Sequence, residues 1–275
     1  MKVYIHTNDK QILGALLSKY LFMKAGFNSE IINISDIDIF QMKDRKKYLR
    51  SGRWEKYDLS DLQSFTLARF WPETNCLSNY IVVDPDVFPV DFTPHTVKQI
   101  IGEVDDGLFV VPASGASEWR SSVMIRQRRN HSDLWCFEEI IEQLFSGKID
   151  YNDVITLRFV SNKITPISEN YNHYDAISAQ TSILHTTARI TQPWKTGLPV
   201  DFANHKLPPL RRMYSKFCLR PKYIKHPRPE VENFFFSNLR LAIEEGFISN
   251  STIYEGIRNK NIRPDILTVI KEFPS

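Results

Sequence analysis

Cysteine is scarce in this 275-residue chain: Cys76, Cys136 and Cys218 stand far apart and are odd in number. They make neither a disulfide framework nor a metal-ligand spacing, which favours a reducing cytoplasm. No apolar stretch is long enough to span a bilayer, and the opening Met1-Lys-Val-Tyr-Ile-His6 reads as a strand rather than a signal peptide. Fixed-period repeats and low-complexity segments are absent. So are Gly-x-Gly-x-x-Gly after the first strand and a Walker loop, which disfavours dinucleotide oxidoreductases and P-loop chemistry. The Gly-x-Ser-x-Gly elbow of α/β-hydrolases is missing as well. Apolar residues make up 42% and charged residues 24%, which excludes disorder and coiled coil. These limits define a soluble globular protein, expected in the cytoplasm, with room for one large domain and an appendage.

The most informative stretch is Tyr80-Ile-Val-Val-Asp84-Pro85-Asp86. An all-apolar, β-branched run reads as a strand buried on both faces, in the middle of a mostly parallel sheet. Ligands of open α/β sheets bind beyond the carboxyl ends of such strands, where Asp84 and Asp86 fall. Two carboxylates crowded there repel unless a cation joins them, so the pair points to a hard divalent metal and a phosphate-bearing ligand. Asp36-Ile-Asp38 repeats the pattern, but its strand is half polar, and it lacks a proline to stiffen the bend. The alternative for either pair is a capped turn. Further on, Ile183-Leu184-His185 ends another apolar run, and His185 completes an Asp/Asp/His set that suits Mn²⁺ or Mg²⁺.

The coarse element order is strand (2–6), helix (10–24), strand (30–34), a basic surface excursion (43–56), and a helix opened by a Ser60-Asp-Leu-Gln63 capping box. Strands then follow at 80–83, 108–111 and 121–125, with a helix from Ser132 to Phe145. Another helix is expected over 151–159 and a short strand over 181–184. This alternation predicts a right-handed α/β unit. From His205 to Arg228, eight lysines and arginines run without an acid, interleaved with Met213, Tyr214, Phe217 and Tyr223. The stretch reads as a solvated connector or as a contact with an anionic membrane surface, in preference to nucleic acid. Beyond it, 229–246 has helical spacing, and two short helices follow.

With these residues in view, the chain resembles GT-A-type glycosyltransferases, in particular glycosyltransferase family 8, the glycogenin-like and lipooligosaccharide galactosyltransferase group. The resemblance rests on Arg69 before the metal strand, Tyr80 to Asp86, Ser121-Ser-Val-Met124, and His185 with Pro193-Trp194. Asp61-Leu-Gln-Ser-Phe-Thr66 and Thr191-Gln-Pro-Trp-Lys-Thr-Gly197 are similar to a bacterial subgroup of unassigned substrate. The family pattern His-x-x-Gly-x-x-Lys-Pro-Trp is altered here: Ala188 replaces the glycine, Gln192 the lysine, and one residue is added.

The resemblance implies a GT-A fold over 1–205, with a basic linker and helical tail over 206–275. It implies a metal-dependent glycosyltransferase that takes a nucleotide-sugar, expected to be a UDP-sugar, and transfers with retention to a glycan or lipid-linked acceptor. Its metal, Mn²⁺ or Mg²⁺, would be held by Asp84, Asp86 and His185. Lys195 or Arg189 would replace the family lysine at the diphosphate, with Lys195 preferred beside the Pro-Trp turn. Thr7 and Asn8 would meet the base or ribose, or else cap a helix, and Arg69 would add charge. Ser121 and Ser122 would line the sugar pocket, or serve packing. Asp175 would touch the transferred sugar and Asn172 hold a hydroxyl, or both would belong to a packed loop. A non-catalytic nucleotide-sugar-binding subunit is the alternative. Peripheral contact at the inner membrane face through 205–228 and self-association through the C-terminal helices complete the expectations.

Overall fold

The computed structural model describes residues 1–113, 118–128, 133–202 and 221–274. The basic stretch is thus largely outside the described residues, as are Ser132 and Cys218. Strand β1 (Lys2–Thr7) leads into helix α1 (Ile12–Lys24) and strand β2 (Asn28–Asn33). Helix α2 (Asp38–Lys43) and a hairpin of β3 (Lys47–Arg50) and β4 (Arg53–Lys56) follow. A 3-10 turn over Ser64–Phe70 and helix α3 (Trp71–Asn75) then deliver the chain to β5 (Tyr80–Val83). After β6 (Val87–Pro89) and α4 (Pro94–Ile101) come β7 (Gly107–Pro112), β8 (Trp119–Gln127), α5 (Phe137–Phe145) and α6 (Tyr151–Ile155). Strands β9 (Ile164–Pro166), β10 (His173–Tyr174) and β11 (Ile183–His185) precede helices α7 (Pro229–Glu244), α8 (Asn250–Arg258) and α9 (Ile266–Val269).

The main sheet runs β2-β1-β5-β8-β7-β9, and only β8 opposes the others. The mostly parallel, helix-flanked sheet expected from the sequence is therefore present, with β5 inside it. Because side chains alternate, Tyr80 and Val82 join one apolar layer under α5 and α6. Ile81 and Val83 join the opposite layer with Phe22 and Phe92. Both faces are covered, so every residue of β5 is buried.

Beneath the sheet's edge, the fully buried Glu73 and Arg126 pair at 3.1 Å, and Tyr80 Oη donates to the same carboxylate. Each neutralises a charge that would otherwise be stranded. A third apolar cluster joins α1 to the C-terminal helices: Leu13, Leu17 and Leu21 meet Val231, Phe235 and Leu239, with Trp194 between them.

Two local expectations are corrected. The Ser60 capping box does not form. Ser60 N and Oγ both donate to Asp58, and the helical segment starts at Ser64 as a 3-10 turn. The 43–56 excursion contains a regular two-stranded ladder.

Candidate active site

Asp84 follows directly on strand β5, and its backbone N–H continues the ladder to Ser122 O at 3.1 Å. Pro85 then turns the chain, and Val87 N returns to Asp84 O at 3.2 Å, which brings both carboxylates to the same sheet edge. A close approach fixes this turn from behind. A Cβ on Gly14 of α1 would lie 2.6 Å from Pro85 O and 3.1 Å from the Trp194 ring. His185 arrives from β11, which pairs antiparallel with β6 so that His185 faces Val87. Asp84, Asp86 and His185 are all buried, and their ligand atoms lie within 4.8 Å of one another.

The two acids are treated differently. Asp84 receives a two-pronged contact from Arg69, with Nε at 2.9 Å and Nη2 on the other oxygen, and a contact from His6 Nε2 at 2.7 Å. Burial alone would raise the Asp84 carboxyl, but the Arg69 guanidinium and the His6 ring hold it well below the usual carboxylate range. Among the described residues Asp86 meets no arginine or lysine. Its Oδ2 takes a long 3.4 Å contact from the Gln192 amide, and its buried Oδ1 has no hydrogen-bond partner.

His185 Nε2 stands 3.4 Å from that Oδ1 and 4.0 Å from Asp84 Oδ2. Its other nitrogen meets Asn172 Oδ1 at 2.9 Å. Asn172 Nδ2 points at Ser122 Oγ and the Arg120 carbonyl, which can only accept, so the amide oxygen faces the imidazole. That arrangement puts a proton on Nδ1, so that in the neutral ring Nε2 carries the lone pair, the tautomer a metal-binding histidine needs. An orphaned carboxylate oxygen, a free imidazole nitrogen and a deprotonated second carboxylate fit a hard divalent cation.

A pocket of about 160 Å³ opens over the triad, lined also by Gln11, Gln63, Thr66, Thr187 and Arg189. Arg189 donates to Gln63 Oε1 at 2.7 Å and stacks on Phe202 at 4.7 Å. Lys195 lies elsewhere: its fully buried ammonium pairs with Asp201 at 2.9 Å. Burial lowers the Lys195 pKa, and Asp201 opposes that drop. Of Arg189 and Lys195, Arg189 is therefore the one brought to the pocket, where Arg69 is already engaged by Asp84.

Asp175 sits behind the His185 turn, at φ +50°, where it accepts from Thr187 Oγ1 and from Ala188 N at 3.2 Å. His226 Nε2 is 3.5 Å from the same carboxylate. Ser121 Oγ takes Arg69 Nη1 at 2.7 Å, and Ser122 supports Asn172. Thr7 Oγ1 donates to Asn8 O. The Asn8 amide ties down the next loop through Asp61 O, Leu62 O and Ser64 Oγ. Sequence reading missed His6 and Gln11. The signal for His6 was register: Ile5 pairs with Val83, so the next residue on β1 comes level with Asp84.

No protein-family model matches the chain, and no curated protein matches it in sequence. Among solved structures, the chain is similar in layout to galactosyltransferase LgtC in complex with donor and acceptor sugar analogs. Identity is 13%, over 70% of this chain and 89% of that one, with a TM-score of 0.43. The glycosyltransferase GlyE of Streptococcus pneumoniae TIGR4 shows 12% identity over 90% of this chain and 64% of that one, at 0.45. WbbM, a bifunctional glycosyltransferase, shows 10% over 71% and 47%, at 0.47. Likeness at this level leaves function to be argued from the site.

Proposed function

We propose that the protein is a metal-dependent glycosyltransferase of the GT-A type. It moves a sugar from a nucleotide-sugar, taken to be a UDP-sugar, to a glycan or lipid-linked acceptor, with the retention that the family resemblance implies. The observation that carries this reading is the buried Asp84/Asp86/His185 cluster at the carboxyl end of β5, with Asp86 Oδ1 unpartnered. Mn²⁺ or Mg²⁺ bound there would supply Lewis acidity toward the charge that gathers on the departing diphosphate.

The chain's own residues do the rest. Arg189, on the wall of the pocket, would put fixed positive charge beside the diphosphate. Arg69 and His6 keep Asp84 ionised and aimed. Asn172 holds the His185 tautomer. In the transfer, an acceptor hydroxyl oxygen bonds to the anomeric carbon as that carbon's bond to the diphosphate oxygen breaks. The hydroxyl proton leaves with the nucleoside diphosphate.

The test is calorimetric titration with UDP, with and without Mn²⁺, on the wild type and on Asp86→Ala. Metal-dependent binding that disappears in the variant supports the donor site, and release of UDP from a UDP-sugar then supports transfer. Binding that ignores the metal, with no turnover, assigns the alternative, a non-catalytic nucleotide-sugar binder. Absence of any nucleotide binding ends both readings.

A further inference from the structure

Strand β11 ends at His185, and the chain that follows supplies Thr187, Arg189 and Gln192 to the pocket wall. A 3-10 turn over Arg189–Thr191 interrupts this stretch. Such a short turn makes few bonds of its own, so the wall's position depends on what braces it from behind. Thr186 N donates to Asp86 O at 3.0 Å, and Ile224 N donates to Ile190 O at 2.9 Å. Between those two braces stands Asp175. Its Oδ2 accepts from Thr187 Oγ1, its Oδ1 accepts from Ala188 N at 3.2 Å, and its own N–H donates to His185 O at 3.0 Å. Asp175 holds φ +50°, a left-handed backbone that aspartate tolerates better than most side chains but still at a cost. Both carboxylate oxygens are occupied by the wall, and Asp175 does not line the pocket.

The segment just ahead of α7 reaches the same carboxylate. His226 is buried, and its backbone N–H donates to Glu232 Oε1 on α7 at 3.0 Å. Its Nε2 faces Asp175 Oδ1 at 3.5 Å and has no hydrogen-bond partner of its own among the described residues. An ionised carboxylate can only accept, so the ring proton belongs on Nε2. Nδ1 then accepts from Arg228 N at 3.2 Å, in place of donating to Arg228 O at the same distance. Glu232 thus holds the His226 backbone, His226 points its N–H at Asp175, and Asp175 holds the turn that carries Thr187 and Arg189.

We infer that Asp175 and His226 are positioning residues of the donor pocket. The Asp175 carboxylate sets the wall between His185 and Arg189, and His226 aims that carboxylate from the C-terminal part of the chain. This inference rests on the nucleotide-sugar site of the transferase reading.

The test titrates the full chain with UDP at saturating Mn²⁺, and again with UDP-glucose. Glycine adopts φ +50° freely, so Asp175→Gly removes the carboxylate without adding backbone strain. It should weaken UDP binding about tenfold, the scale of one hydrogen bond to a charged group. His226→Ala should weaken it about fivefold, and His226→Gln, whose amide N–H can stand in for Nε2–H, should recover to within about twofold. The double variant Asp175→Gly/His226→Ala should match Asp175→Gly within about twofold, because His226 acts through that carboxylate. Val97→Ala, a cavity in the core under α4, reads the effect of instability alone. Unchanged UDP affinity in Asp175→Gly, an equal loss in Val97→Ala, no recovery by glutamine, or additive losses in the double variant each overturns the proposal. Unchanged UDP affinity with weakened UDP-glucose binding overturns it in favour of a direct contact between Asp175 and the sugar. Failure of the wild type to bind Mn²⁺–UDP is read in its own titration; it removes the donor site, and this proposal with it.

Discussion

Arg189 and Lys195 stand on the same turn-rich segment, yet of the two only Arg189 lines the pocket over Asp84, Asp86 and His185. The segment between them is two short 3-10 turns rather than a regular helix, so spacing along the chain does not give direction in space. That is why a choice between the two cations based on nearness to the Pro-Trp turn pointed to the one that pairs with Asp201 instead. That Asp84, Asp86 and His185 come together could be anticipated because they fall at or just past the ends of the apolar strands β5 and β11, and a strand end is a position that sequence does encode. Arg189→Ala should weaken Mn²⁺–UDP binding about ten- to a hundredfold, through loss of a charged contact of roughly 1.5–3 kcal/mol. Lys195→Ala should leave that affinity within about twofold but cost roughly 1–3 kcal/mol of stability, because Asp201 loses its nearest cation and keeps only Tyr223 Oη and a 3.8 Å approach of Lys10. Calorimetry and thermal denaturation on the two variants separate binding from folding. A larger affinity loss in Lys195→Ala would restore lysine to the diphosphate.

Among elements, β1, β5, β7 and β8 could be read from composition alone, since their apolar runs stop at polar or turn residues. The direction of β8 could not, because burial on both faces looks the same in parallel and antiparallel strands. Nor could the β3–β4 ladder: its alternation of lysine and arginine with tyrosine and leucine carries too little apolar content to stand out from a polar loop. The packing of α1 on the Asp84–Pro85–Asp86 turn was also hidden, though it sets the site's geometry. Gly14 is the residue that permits it. Alanine there gains about 1 kcal/mol of helix propensity, yet its Cβ would press on backbone oxygen, which cannot swing aside. Overpacking of this kind costs about 1–3 kcal/mol. Gly14→Ala should therefore lower the thermal midpoint and, by pushing Pro85, weaken metal-dependent nucleotide binding more than a remote variant of equal instability. A stabilised variant with intact binding would show that the turn yields.

At the scale of the whole molecule, the C-terminal helices share a core with the sheet domain. Trp194 stacks on Phe235 of α7 at 5.1 Å and 23°, and its carbonyl accepts from Arg263 N at 2.8 Å. Phe235 and Phe236 of α7 are buried in this packing, and among the described residues no helix is long and apolar enough to cross a membrane. The sequence showed the amphipathic face of α7 but not its partner. A helix pattern states how wide an apolar stripe is and says nothing about which surface it covers.

The contact has a consequence for the site, because Gln192 next to the Pro193–Lys195 turn donates to Asp86, and Gln11 on α1's approach donates to Gln192. Phe235→Ala should cost about 3–5 kcal/mol, as for other buried aromatic truncations. If α7 acts only as ballast, Mn²⁺–UDP at about 100 times its dissociation constant will raise stability by the same roughly 2.7 kcal/mol in variant and wild type. The packing chain from Phe235 through Trp194 to Gln192 and Asp86 predicts otherwise. The variant should bind more weakly and gain less at the same ligand concentration, and thermal shifts across a UDP series at fixed Mn²⁺ read the difference directly. Equal shifts throughout the series would confine α7 to a structural role and leave the site's geometry to α1 and β11 alone.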